Sequence, residues 1–524
     1  MKPSHLFSSV RVFLAAIPVL IGYMPVVYAQ FATGHKGAKS KWVYVDNKGV
    51  LAYKTLEQGD KIMDFSYAGY MGGGVALPTV PVKITLDPVA GDNTAAIQNA
   101  INTVAQMPLV NGLRGAVLLR AGTYTCEGVL TLQASGVVLR GSGSGAAGTI
   151  INMAGKPHTC IAVSAKPTVK TLGNATTISD AYVPAGAMAF TLSDASGFAV
   201  GDTIRLTRPV TDAWLAFMGM DQLERGGKKQ TWITGDITAD RVIRKLVKNT
   251  VTVDVPLSDN YDARYTAPAG VAVQKISTEG EPSQIGVEDL RIVSPAQQVT
   301  INDGHHRALT ISGIADGWAR NLDIFNTVNS ISITGRRITI DNINIMHEVP
   351  TIGAAKPADL NGSGPQVLFN RCTITGDNVF YFATGPKVTG PVVLLNCVFR
   401  GNGWIQPHQR WSTGLLVDGC QVPDGGIDFM NRGAMGSGHG WAIGWAVAWN
   451  CSAKSFLNQQ PPGCANWVIG SSGEQQKKAM PFNQLPLLPE GLYDAHGTPV
   501  SPGSLYLAQL SERLSKQALK NIGY

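Results

Sequence analysis

Seven short segments in the second half of the chain align with one another: VEDLRIVS from Val287, ARNLDIFN from Ala319, IDNINIMH from Ile340, FNRCTITG from Phe369, LLNCVFRG from Leu394, VDGCQVPD from Val417 and AWNCSAKS from Ala448. With Leu290, Leu322, Ile343, Cys372, Cys397, Cys420 and Cys451 as equivalent positions, the spacings are 32, 21, 29, 25, 23 and 31 residues. Recurrence at twenty to thirty residues with β-branched alternation is the mark of a solenoid. No L-x-x-L-x-L frame is present, so a leucine-rich repeat is excluded. Each unit instead offers two or three short strands between Gly/Asn/Asp turns, which predicts a parallel β-helix. Charged residues make up only 15% of the 524 residues, against about 25% on average, so helical bundles and coiled coils are excluded as well.

The equivalent apolar positions are expected to stack in the interior, where small Cys packs as a hydrophobe. Asn321, Asn342, Asn396 and Asn450, each one residue before that column, are expected to form a hydrogen-bonded ladder at a turn. Asp92 followed by NTAAIQNAINTVAQ reads as an N-capped amphipathic helix that closes the first rung. The rhythm breaks over 165–277, where LSDASGFAVGDTIRLTR and VTVDVPL predict an antiparallel β insertion, and SLYLAQLSERLSKQALKNIG predicts a C-terminal helix. The expected organisation is therefore a signal segment at 1–29, an N-terminal cap with first rungs at 30–164, the insertion at 165–277, main rungs at 278–480 and a tail with helix at 481–524.

Residues 1–29 read as a secretory signal, since Lys2 and Arg11 precede the apolar run VFLAAIPVLIGYMPVV and Val27-Tyr28-Ala29 suits cleavage. A secreted or periplasmic location is the expectation, with no membrane association after cleavage. Loss of Lys2 and Arg11 takes the formal charge from +7 to +5. That bias favours an anionic partner, but no basic run interleaved with aromatics marks a nucleic-acid binder. The seven cysteines form no CxxC or Cys/His metal spacing, and most are expected as buried thiols inside strands. Nothing in the pattern indicates an oligomer, so a monomer is expected.

The stretches DNTAAIQNAIN and GAVLLRAGTY, with the later NxT- and NC-type rungs, resemble the pectate-lyase-like superfamily. The resemblance implies an all-β, right-handed parallel β-helix acting on or binding polysaccharide, a class that spans lyases, glycoside hydrolases, epimerases and phage tailspikes. The R-x-x-P-x-x-R signature of the calcium-dependent pectate lyases is absent. Of the polygalacturonase series N-T-D, D-D, G-H-G and R-I-K, Gly438-His439-Gly440 matches the third, with no D-D pair and no R-I-K beside it.

Side chains at equal offset on successive rungs become neighbours about 4.8 Å apart. His408 and Asn431 each lie eleven residues after a marker cysteine, and Gln409 and Arg432 lie at twelve. This offset predicts a patch of His408, Arg410, Asn431 and Arg432, with His439 in the next turn. Such a set suits β-elimination from a uronate, in which guanidinium or amide groups neutralise the carboxylate while an imidazole removes the proton beside it. A calcium ion is the cofactor that this chemistry also admits. Trp404, Trp411 and Trp441 are candidate sugar platforms, and His306, next to His305, marks a second candidate binding position. His347 and Glu348 form a weaker one, and Trp445 and Trp449 read as packing.

An exposed His or Arg on such a face is more often solvated or tied into a turn than catalytic, and only the clustering favours chemistry. Glycoside hydrolysis is the rival reaction and needs two carboxyl groups flanking the bond; Asp418, Asp424 and Asp428 lie in the region. A non-catalytic carbohydrate-binding or adhesion protein is the third class.

Overall fold

The computed structural model describes residues 37–478 and 486–524; the signal segment at 1–29 lies outside the described residues. From Val82 onward the chain winds into three parallel ladders. The first runs through Gly115–Leu119, Val137–Arg140, Gly286–Val293, Ala315–Phe325, Arg336–Met346, Val367–Asn370, Thr389–Leu395, Ser412–Asp418, Val447–Trp449 and Trp467–Ile469, every pairing parallel. The second contains Thr373–Thr375 against Val398–Arg400. The third contains Phe380–Ala383, Trp404–Ile405 and Gln421–Phe429. This is the parallel β-helix that the repeat spacing requires, and the early markers meet in register, Leu290 on Leu322 and Leu322 on Ile343.

The corner between the first and second ladders explains the Asn-Cys pattern. Asn321, Asn342, Asn396 and Asn450 all take left-handed backbone angles, with φ between 48° and 53°, a region that Asn tolerates better than branched residues do. The amide ladder forms in part: Asn342 donates to Asn321 Oδ1 at 2.8 Å, and Asn321 to Asp289 Oδ1 at 2.7 Å. It stops where Arg371 takes the turn position. Asn396 bonds Tyr524 and Asn450 bonds the Val500 carbonyl instead. Cys372, Cys397, Cys420 and Cys451 are buried free thiols. They sit at this corner rather than inside strands, and the Cys451 thiol donates to the Val417 carbonyl at 3.2 Å.

The capping helix spans Thr94–Ala105 and buries Ile97, Ala100, Ile101 and Val104 against the first rungs. Its N-cap position is Asn93; Asp92, one residue earlier, accepts from Thr94 N at 2.9 Å. The insertion forms a six-stranded antiparallel sheet from Thr168–Thr177 to Ala272–Glu279, with its own core of Ile204, Leu206, Ile243, Val251 and Val273. The C-terminal helix is two helices, Leu505–Leu514 and Lys516–Asn521, broken at Ser515 with φ 76°. Residues 37–74 run as a strap along the outside of the first ladder: Ala38 pairs with Val500, Phe65 N donates to Gln509, and Tyr70 N donates to Thr339. Strap and C-terminal helices cover that face with Phe65, Tyr506 and Leu510.

Candidate functional site

The corner that leads from the third ladder back to the first carries most of the expected site. Along the third ladder Ile405, Ile427 and Phe429 point into the core, so the alternating residues Trp404, Gln406 and Asp428 belong to the outer face. The register here is Trp404 on Gly426 and Ile405 on Ile427, an offset of 22, although Val398 pairs with Gln421 at 23. The later rung is one residue shorter between its second and third ladders. The offset of eleven from each cysteine therefore does not place His408 beside Asn431; the side chains put Gln406 beside Asp428, and the Arg410 N–H meets the His439 carbonyl at 3.0 Å.

Four of the expected residues come together. The His408 and His439 rings lie 4.7 Å apart, and the Phe380 ring is 5.6 Å from His408. Arg432, which is buried, sits 5.6 Å from the Phe380 ring and donates through Nη1 to Gln406 Oε1. Gln406 Nε2 in turn donates to Asp428 Oδ2 at 2.7 Å, so one amide joins a buried guanidinium to a buried carboxyl. Arg410 reaches over the next turn and donates to Ser437 Oγ at 2.6 Å.

Electrostatics set the protonation states. Burial, then the positive Arg432, the second imidazole and Arg410, press His408 down to about 3. Burial, Arg432, Arg410 and Arg225 press His439 down to about 4. Both rings are thus neutral proton acceptors at neutral pH. Burial raises Asp428 to about 7 despite its bond to Gln406 and the nearby Arg432, and burial lowers Arg432 to about 10.

The remaining expectations fall elsewhere. Asn431 turns to the other side of the loop: its Oδ1 accepts from Gly433 N at 2.7 Å, and it lines a cleft of about 860 Å³ beneath the insertion. Trp411 and Trp441 are not sugar platforms. Trp411 is 3% exposed with Nε1 donating to Asp259 at 2.7 Å, and Trp441 is 2% exposed with Nε1 donating to the Met218 carbonyl at 3.1 Å. Both seat the insertion on the rungs, because an indole buries a large apolar face and still needs an acceptor for its N–H. Trp404 remains partly open on the outer face, with Lys356 Nζ 5.0 Å above its ring. His306 is buried several rungs away, with Nδ1 accepting from His158 N at 3.3 Å, so it is a packing residue. His347 pairs with buried Asp359 at 2.6 Å.

The glycines around His439 serve close packing. A Cβ on Gly440 would meet Trp232 Cδ1 at 2.3 Å, and one on Gly438 would meet Gln230 Cβ at 2.9 Å. The insertion thus lies directly on this turn, and Arg225 donates to the Gly436 carbonyl at 3.0 Å. The G-H-G match to the polygalacturonase series has a local steric explanation. Gln406, Phe380, Lys356 and Arg225 were not foreseen. Gln406 was within reach of the sequence, since Gln406 and Asp428 each follow the inward isoleucine of a third-ladder strand; Arg225 was not, because no periodicity links the insertion to the rungs. Among the described residues no three His, Cys, Asp or Glu side chains converge in a metal-holding group.

No protein-family model matches this sequence, and no curated protein is significantly similar to it. Solved structures with a similar course of chain include the gp54 tailspike of Acinetobacter baumannii bacteriophage AP22 in complex with A. baumannii capsular saccharide (10% identity, TM-score 0.25, 78% of this chain and 71% of that one). They also include the A-module of the Azotobacter vinelandii mannuronan C-5 epimerase AlgE4 (11%, 0.28, 75% and 87%) and PfbA, a surface adhesin of Streptococcus pneumoniae (10%, 0.23, 79% and 92%). Superpositions this loose leave the fold to the strand ladders and say nothing about the site.

Proposed function

We propose that the chain is an exported polysaccharide lyase that cleaves a uronic-acid-containing glycan by β-elimination at the corner built from residues 404–441. The observation that carries this reading is the pair of imidazoles held neutral, 4.7 Å apart, beside Arg432 and Arg410. The proton removed lies on the sugar carbon next to the carboxylate and is very weakly acidic. Guanidinium groups facing the carboxylate stabilise the charge that develops as it leaves. His408 or His439 takes that proton, the carbon–oxygen bond one position along breaks as the ring double bond forms, and water protonates the departing oxygen. The partly open Trp404 supplies an apolar face for a neighbouring ring.

Hydrolysis is less well served. Asp418 is fully buried and accepts from Ser504 Oγ at 2.7 Å and Tyr506 N at 2.8 Å, capping the C-terminal helix. Asp428 is buried and bound to Gln406, which leaves Asp424 as the one exposed carboxylate of the three, whereas hydrolysis needs two.

The test is a panel of pectic, alginate, glucuronan and ulvan polymers monitored for an unsaturated product by its near-ultraviolet absorbance. One polymer is expected to give that signal, and His408→Ala with His439→Ala together are expected to abolish it while the protein stays folded. New reducing ends without unsaturation would replace this reading with hydrolysis. Saturable binding without any product would replace it with a binding protein.

A further inference from the structure

Beyond the 408–411 turn, the insertion, the strap and the 460–464 corner enclose a pocket of about 230 Å³. One wall is the stacked pair Phe217 and Tyr265, with ring centroids 4.2 Å apart, and Trp214 and Trp411 also line it. Arg208 lines it too. That residue is 4% exposed and its guanidinium lies 4.0 Å from the Trp214 ring, while its Nε and Nη1 have no hydrogen-bond partner. The enclosed acids around it are already engaged. Asp60 accepts from Tyr182 OH at 2.7 Å and Ala185 N at 2.8 Å, Asp259 accepts from the Trp411 and Trp445 indoles, and Asp262 pairs with Arg264. Glu57 at the rim is exposed. A buried guanidinium with open donors is an unusual expense in a folded chain unless a ligand supplies the acceptors.

The pocket adjoins the 860 Å³ cleft, since Phe217, Met218, Gln460, Pro462 and Gly463 border both. The far end of that cleft is formed by Asn431 and Gly433, which flank Arg432. His408, Arg410, Arg432 and His439 line neither space, so the Arg208 pocket is separate from the histidine corner. We propose that the Arg208 pocket is a second binding site for one carboxylate-bearing sugar of the same acidic glycan, separate from the histidine corner; this rests on the uronate-directed reading above. A guanidinium fork matches a carboxylate, and the Phe217–Tyr265 wall offers an apolar face to a single ring.

The experiment uses the full chain carrying His408→Ala and His439→Ala together, so that bound strands persist, and calorimetric titration with short and long oligogalacturonates and oligoalginates and with the same oligomers reduced at the carboxyl. Arg208→Gln and Phe217→Ala are each expected to weaken binding of the acidic oligomers roughly tenfold to a hundredfold. Arg208→Gln is also expected to erase the preference for acid over reduced oligomers, and Arg208→Lys to restore part of it. Phe217 is 36% exposed, so its truncation stays testable if the arginine variants do not fold. Unchanged affinity in folded Arg208→Gln, or in Phe217→Ala where the former is unfolded, overturns the proposal, as does no binding of any acidic oligomer. Arg208-dependent binding without unsaturated product from the unmodified chain would overturn the lyase reading and leave the subsite; product formation with unchanged binding in both variants would do the reverse.

Discussion

Two corners of the β-helix hold a half-buried imidazole, and they have opposite proton affinities. At His347, burial pulls the proton affinity down, but the Asp359 carboxylate at 2.6 Å outweighs it and the net shift is upward. At His408 and His439, burial acts together with Arg432 and Arg410, and both shifts are downward. Burial alone does not decide what a histidine does; the sign of the nearest fixed charge does. His347, with Ser330 also bonding Asp359 at 2.8 Å, is a structural ion pair. The pair at the other corner is left as two neutral bases beside cations, which is the state proton abstraction needs.

The largest expected effect comes from removing the cation that separates the two corners. Arg432→Met leaves Asp428 and Gln406 buried without it, and is expected to cost about 3–5 kcal/mol in denaturant unfolding. Adding Asp428→Asn should recover part of that loss, and full stability in the single variant would show that Arg432 is not a buried partner. Next, Gly440→Ala forces a methyl group against Trp232 and is expected to cost about 1–3 kcal/mol and to lower product formation, because the insertion is displaced from the histidine turn. The same change on the His347 side, Gly376→Ala, would press on His347 Cδ2 at 2.5 Å and is expected to lower stability but leave activity intact.

Smaller and sharper is the pH dependence of stability. His347 has a raised folded-state value, so its stabilisation is complete below the unfolded value of about 6.5 and fades as pH rises through the raised value. Asp359→Asn should remove that alkaline loss, at a cost of about 1–3 kcal/mol near neutrality. His408 and His439 have depressed values of about 3 and 4, so their contribution is complete above about 6.5 and is lost as pH falls toward those values. Melting curves of His439→Asn from neutral pH down to pH about 4 should show a shallower acid loss than the unmodified chain. Identical acid slopes would mean that the two corners do not differ as described.

Much of the architecture was legible because solenoid pairing is local in its logic: each rung repeats the same alternation, and Leu290, Leu322 and Ile343 align in the structure as they do on paper. His408, Arg410, Arg432 and His439 gather through the turns that follow the third ladder, not through the equal offset. The limits of the repeat are equally physical. One residue fewer between Gln421 and Gly426 than between Val398 and Trp404 shifts the offset from 23 to 22, and Asn431 lines the cleft on the other side of the turn. The tryptophans were misplaced because aromatic residues beside a site read the same whether they face a sugar or a packed domain; only the contacts of Trp411 with Asp259 and of Trp441 with Met218 distinguish the two.

By itself the sequence determined the coil, its core column of aliphatic and cysteine side chains, and which rungs carry imidazole and guanidinium groups, since these depend on alternation and repeat length alone. Tertiary structure decided that the insertion rests on the histidine turn, that the strap and C-terminal helices cover the first face, and which acids are spent on capping and indole bonds. Those outcomes depend on contacts between segments hundreds of residues apart, such as Ala38 with Val500 and Trp232 with Trp441. No local pattern encodes such contacts, because their energy comes from shape and burial that exist only once the coil has formed.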